Sequence, residues 1–224
     1  MADPGNVSTT ELRRHRGAVV PSWEATRHSL LTRLKDLGDH QGWQRFSDTY
    51  GGVIHGLALK AGCSATEADE VLQETLISVA REMPDFRYDP SRGSFKSWLF
   101  CVARRRIADL FRRRARQERN LAGAAPEWEQ LPDPASDPLN PVWEDEWRQH
   151  ELQCALERVK QKVSPGQWQM FDLAVLQDWP TDRICSLLGV NRAQIYMARM
   201  RLNRLLKLEL GRIIAAETAG PAAR

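Results

Sequence analysis

Apolar residues recur at three- and four-residue intervals along most of this chain, and no segment holds a convincing alternation of apolar and polar positions. The first spacing is that of an amphipathic helix; the second would mark a half-buried strand. Residues 1–22 have no period and read as a flexible leader. From Ser22 onward, Leu30, Leu31, Leu34 and Leu37 predict a short helix that stops at Gly38. Trp43, Phe46, Tyr50, Val53, Ile54 and Leu57 predict a longer one, ended by Gly62. Ser64, with Glu67 three residues on, is a capping box for a third. That helix turns Val71, Leu72, Thr75, Leu76 and Val79 inward and closes at Pro84. A loop punctuated by Pro90 and Gly93 follows, and Ser94 caps a fourth helix whose apolar side holds Phe95, Trp98, Leu99, Val102, Leu110 and Phe111.

The pattern then breaks. Between 121 and 142 stand Pro126, Pro132, Pro134, Pro138 and Pro141, a spacing no helix or strand survives. The acids Glu127, Glu129, Asp133 and Asp137 meet no basic residue there, so the stretch reads as an acidic, disordered linker. Helical spacing resumes near Trp143 and continues through Leu152, Leu156, Val159 and Val163. Ser164-Pro165 restarts a helix carrying Trp168, Phe171, Val175 and Leu176, and Asp178-Trp179-Pro180-Thr181 breaks it. The expected fold class is therefore all-α: two small helical domains joined by a flexible linker.

In the last part of the chain, Thr181 to Leu188 predicts a helix, Gly189 a tight turn, and Asn191 the cap of a second helix. Ile184 and Leu188 are expected to face Val190, Ile195 and Leu202, the apolar skeleton of a helix-turn-helix. The second helix would present Arg192, Gln194, Tyr196, Arg199 and Arg201 outward, long donors suited to a major groove. An ordinary helical hairpin with a solvated face has the same skeleton.

Charge sharpens the picture. Residues 92–119 hold ten Lys or Arg against two acids, a local surplus of eight in a chain whose total is +3. Such clustering suits a phosphate backbone, because like charges one helical turn apart repel unless something anionic compensates. Phe95, Trp98, Phe100 and Phe111 lie beside the cations and could stack unpaired bases, although Phe95 and Trp98 fit the core stripe equally well. In the helix before it, Asp69, Glu70, Gln73 and Glu74 make an acid and amide surface, which spacing alone reads as solvated.

Other chemistry is not indicated. Cys63, Cys101, Cys154 and Cys185 form no C-x-x-C pair and read as reduced, packed thiols. The five histidines are scattered, and there is no P-loop, H-E-x-x-H or nucleophile elbow. No metal, no cofactor and no active site are expected. No apolar run nears the roughly 20 residues of a bilayer span, and the short apolar stretch after Arg16 does not make a secretory signal.

Three segments in this order carry a resemblance: Asp69-Glu70-Val71-Leu72-Gln73-Glu74-Thr75, Phe86-Arg87-Tyr88-Asp89-Pro90-Ser91-Arg92-Gly93-Ser94-Phe95-Lys96-Ser97-Trp98-Leu99, and Ala108-Asp109-Leu110-Phe111-Arg112-Arg113-Arg114. With them the chain resembles bacterial RNA polymerase sigma factors of the extracytoplasmic-function (ECF) class. The resemblance implies a leader at 1–22, sigma region 2 at 23–117, the acidic linker at 118–145, region 4 at 146–212 and a tail at 213–224. It implies a cytoplasmic factor, monomeric when free and not itself an enzyme, that binds core polymerase and directs promoter-specific initiation. Asp69, Glu70, Gln73 and Glu74 would dock on the β′ clamp helices, with the β flap as a second contact and an anti-sigma partner left open. Arg92, Lys96, Arg104, Arg105, Arg106, Arg112, Arg113 and Arg114 would serve the −10 element, where a base is extruded into a pocket. Arg192, Gln194, Tyr196, Arg199 and Arg201 would read the −35 element.

Two departures stand out. Arg105 replaces an amide that many relatives carry, and Tyr196 and Ala198 stand where relatives often place Lys or Arg. The linker satisfies a distance test: an extended chain from about 118 to 150 reaches roughly 100 Å, and two turns of DNA span about 70 Å. The rival readings are a free-standing helix-turn-helix regulator and a decoy that binds polymerase without reading DNA.

Overall fold

The structure is a computed structural model and describes residues 27–86, 94–122 and 137–218. Among the described residues every regular element is helical. Two compact units divide the chain, Ala25–Trp147 and Arg148–Ala219.

The first unit holds α1 (Arg27–Arg33), α2 (His40–Lys60), α3 (Ala65–Glu82), α4 (Phe95–Ala122) and the start of α5 (Asn140–Lys162). Asp39 caps α2 by accepting the Gly42 amide N–H at 2.9 Å, and Arg33 grips both its oxygens at 2.6 and 2.7 Å. The Arg33 hydrogen bond, then the Gly42 N–H, pull the Asp39 carboxyl down to about 2. Leu37 lies outside the apolar stripe proposed for this part, 56% exposed, because the chain turns away after Leu34. Ser64 and Glu67 form the expected capping box at α3. Gly62, at φ 100°, makes the turn between α2 and α3 in the left-handed region where a Cβ is disfavoured. Ser94 receives the Ser97 N–H at 3.1 Å and so begins α4.

Phe46, Tyr50, Ile54, Leu57, Val71, Val79 and Leu99 fill the core as the spacing predicts, and Ile107 joins them. Trp143 and Trp147 complete it, from the far side of the proline-rich stretch. Most of the segment read as a linker lies outside the described residues. Its last part, from Asp137, is built into this unit, and α5 begins at Asn140 rather than near Trp143. Pro141 does not obstruct it, because the first turn of a helix has no use for that N–H.

The second unit contains the rest of α5, α6 (Pro165–Phe171), a π-helical turn at Asp172–Leu176, α7 (Thr181–Leu188) and α8 (Arg192–Thr218). Ser164 caps α6 through the Gln167 N–H, with Pro165 at its first position. Leu152, Leu156, Val159, Phe171, Val175, Leu202, Leu206 and Ile213 make the larger core. Leu173, Ile184 and Ile195 make a smaller one beneath the α7–α8 turn, joined by Leu188 and Val190. Leu202, expected in the helix-turn-helix skeleton, belongs instead to the larger core, because α8 runs two turns beyond Ile195 into it.

Glu209 is buried in this unit and accepts from Lys162 Nζ at 2.7 Å and Arg212 Nη1 at 2.6 Å, with Arg158 3.5 Å away. Burial pushes its carboxyl up; the Lys162 hydrogen bond and the charges of Lys162, Arg212 and Arg158 outweigh this and hold it below the usual range.

Candidate nucleic-acid interface

The basic helix α4 owes its position to an apolar face that includes Phe95, Leu99, Val102, Ala103, Ile107 and Leu110, all buried. Its cations are spread around the remaining circumference and do not share one environment. Arg104 is 8% exposed and donates to Asp137 at 2.8 Å, Asp137 being 7% exposed. Lys96 is also drawn in: its ammonium reaches Glu144 at 2.7 Å and lies 5.6 Å from the centre of the Trp147 ring. Asp109 pairs with Arg106 at 3.2 Å and with Arg112. Arg113 meets Glu70 at 2.8 Å and Arg114 meets Glu67 at 3.8 Å. Arg105 and Arg116 are exposed and have no ion pair among the described residues. Arg92 lies outside the described residues.

The fold therefore supplies much of the anion that the arginine cluster requires, from positions as far along the chain as Asp137 and Glu144. The pairs at the far end of α4 are solvent-exposed, so each contributes little and a phosphate can displace it. The buried Arg104–Asp137 pair is of another kind, since separating it would strand a charge.

The proposed aromatic stacking platform is corrected by burial. Phe95 and Phe100 are core residues, Phe100 packing 5.6 Å from Trp143. Trp98 is half-buried between Phe86 (4.7 Å) and Phe95 (5.5 Å), and Phe111 packs at the core edge. Core packing claimed these rings because their spacing coincides with the inward stripe of the helix.

On α3, Asp69, Glu70 and Gln73 are exposed and Glu74 is half-buried, opposite the buried Ala68, Val71, Thr75 and Val79. His55 approaches Asp69 at 3.4 Å. With Glu70 held by Arg113, the acids of α3 and the cations at the end of α4 form one mixed-charge surface. Gln73 has no hydrogen-bond partner among the described residues.

At the start of α8 the cap is reciprocal: Asn191 Oδ1 accepts the Gln194 N–H, and Gln194 Oε1 accepts the Asn191 N–H, both at 2.9 Å. Gly189, at φ 64°, supplies the left-handed residue that ends α7. Arg192 is tied to Asp182 of α7 at 2.6 Å, and that hydrogen bond holds its guanidinium still more firmly protonated. Tyr196, Arg199 and Arg201 are exposed. Ala198 is buried, so this departure from the family pattern lies on the inward face, where a Lys or Arg would not fit. Met197 and Met200 are also exposed, at 64% and 55%; the sequence reading passed over them because it looked for polar donors.

No helix among the described residues is long and apolar enough to cross a membrane, and no group of metal-ligating side chains is found among them.

A family model described as Sigma-70 region 2 matches residues 46–117, the span from α2 to α4. The chain is 28% identical over 85 residues to the ECF RNA polymerase sigma factor RpoE of Cereibacter sphaeroides, a match covering 38% of this chain and 46% of that protein. It is 27% identical over 194 residues to the ECF RNA polymerase sigma factor SigE of Mycolicibacterium smegmatis, covering 84% of this chain and 70% of the relative. It is 28% identical over 168 residues to the ECF RNA polymerase sigma factor SigL of Mycobacterium tuberculosis, covering 73% and 85%.

Proposed function

We propose that the chain directs transcription initiation by RNA polymerase as an ECF sigma factor, its two helical units serving two promoter elements while α3 holds the enzyme. The observation that carries this reading is a region 2 match lying over a bundle whose last helix is lined with arginine, in a chain that continues into a capped helix-turn-helix.

In this reading the first unit, with 23–117 as its region 2 part, takes the −10 element. Arg92, Lys96, Arg105, Arg106, Arg112, Arg113 and Arg114 supply its cations, and Arg104, anchored by Asp137, positions α4. The second unit, as region 4, takes the −35 element through Arg192, Gln194, Tyr196, Arg199 and Arg201. Asp69, Glu70, Gln73 and Glu74 dock on the β′ clamp helices, and the β flap engages the second unit. The factor acts in the cytoplasm, where polymerase works, and leaves the chemistry to that enzyme.

Run-off transcription with core polymerase tests the whole reading. Promoter-specific transcripts are expected only when the chain is present. Tight DNA binding without polymerase and no transcripts would make it a free-standing regulator. A narrower test concerns the dock. Gln73→Ala with Glu74→Ala is expected to weaken core binding roughly tenfold, the scale of one well-placed interface contact. Gln73 is exposed and Glu74 half-buried, and neither is a core residue, so unchanged affinity would remove this surface from the interface.

A further inference from the structure

The inward face of α8 at its start is set by Ile195, Ala198 and Leu202, all buried. At 3.6 residues per turn, the opposite face is held by Ala193, Tyr196, Met197 and Met200. The three larger side chains are 61%, 64% and 55% exposed, and Met197 and Met200 carry no polar group able to donate a hydrogen bond. Over the first turns of α8 the outermost stripe is thus apolar; Arg204 continues it one turn on, and Arg199 and Arg201 are exposed to either side.

Two of the polar readers have contacts within the fold, Gln194 in the cap and Arg192 in an exposed pair that a phosphate can displace. Arg192 donates twice to Asp182, and Gln194 spends its carbonyl oxygen on the cap. What remains at the centre is a thioether surface with cationic margins. In a major groove, the one apolar feature a base pair presents is the C5 methyl of thymine. The arginines beside the stripe favour DNA as its occupant over an apolar protein, since they complement phosphates on the groove walls.

We propose that Met197 and Met200, with the ring of Tyr196, read thymine methyl groups in the −35 element, so that this chain selects that element mainly by apolar contact and not by cationic contact to guanine. The proposal rests on the reading of α7 and α8 as a promoter-binding helix-turn-helix.

The test selects promoter DNA with the holoenzyme, core polymerase plus the full chain, from a duplex library randomised across both elements. Selected duplexes are resynthesised with deoxyuridine in place of each −35 thymidine, which removes only the methyl. Each contacted methyl should be worth about fourfold in holoenzyme affinity, the ~0.8 kcal/mol of one buried methyl. Met197→Ala with Met200→Ala should lose a similar factor on thymidine DNA and become indifferent to the uridine exchange. Both side chains are exposed, so the variant should keep its helical circular dichroism.

A selected −35 block without thymine, or one indifferent to uridine, overturns the proposal and leaves the promoter reading intact. An equal uridine loss in variant and unaltered chain also overturns it, by placing the methyl contact elsewhere. If the double variant weakens holoenzyme formation and uridine has no effect, the stripe belongs to a protein partner. Should selection yield a −10 block and no −35 block, the helix-turn-helix reading falls with the proposal.

Discussion

Trp147→Ala is expected to lower the stability of the first unit by about 3–5 kcal/mol, the usual range for emptying an aromatic site in a core. The indole is fully buried, stacked on Tyr50 at 5.6 Å with an interplanar angle of 19°, and 5.3 Å from Trp143. Lys96 covers its outer face. The rings of Tyr50 and Trp143 are held in the packed core and do not refill the space, so the cavity term adds to the lost transfer energy. Denaturant unfolding of the full chain, followed through the first unit, measures the loss. Trp147→Phe supplies a milder second point, keeping a ring over Tyr50, and should fall between the two. A change below about 0.5 kcal/mol for the alanine variant, the range of surface substitutions, would mean that the segment after the proline-rich stretch does not belong to this core.

Asp137→Ala is the second large effect, about 3 kcal/mol or more. Its partner Arg104 is 8% exposed, and removing one member of a buried pair leaves an uncompensated charge. Asp137 also accepts the Leu139 N–H at 2.8 Å, so the start of α5 loses a turn contact as well. The discriminating comparison is the double change, Asp137→Ala with Arg104→Met. A methionine keeps much of the volume and removes the stranded charge, so the double variant should recover most of the stability lost by the single one. If the two single losses simply add, the pair is not coupled and the contact carries no weight.

These two predictions mark where the sequence stopped being legible. Short-range chemistry could be read directly. The Ser64 and Glu67 box, the Ser94 cap, Ser164-Pro165, and the Gly189 turn before Asn191 all lie within a few residues of their partners, and all are present in the structure. The core stripes of α2, α3 and α4 were legible for the same reason, because a helix repeats its inward face every three or four residues.

The missing partners are distant in the chain. Arg104 and Asp137 stand 33 residues apart, and Lys96 and Glu144 stand 48 apart. Composition showed a surplus of charge on α4 but had no means of showing which cations the fold would use. The same distance hid the fate of Trp143 and Trp147. Five prolines in 121–142 argued for a linker up to the edge of α5, and two of them proved compatible with a turn and a helix start. At the start of α8, donor chemistry singled out Arg199 and Arg201, whereas two exposed methionines, Met197 and Met200, carry no such signal.

Under the proposed −35 reading, Gln194 would serve both cap and base, which sets a limit on how this protein can be retargeted. Its carbonyl oxygen holds the backbone of Asn191, so altering base preference at that position also unfastens the start of α8, at a cost of about 1 kcal/mol for loss of a cap. Tyr196, Met197, Met200, Arg199 and Arg201 are all solvent-facing, and Ile195 and Ala198 hold the helix from the other side. Divergence among duplicated copies would therefore run through those five solvent-facing positions first, leaving the glutamine as an inherited constant.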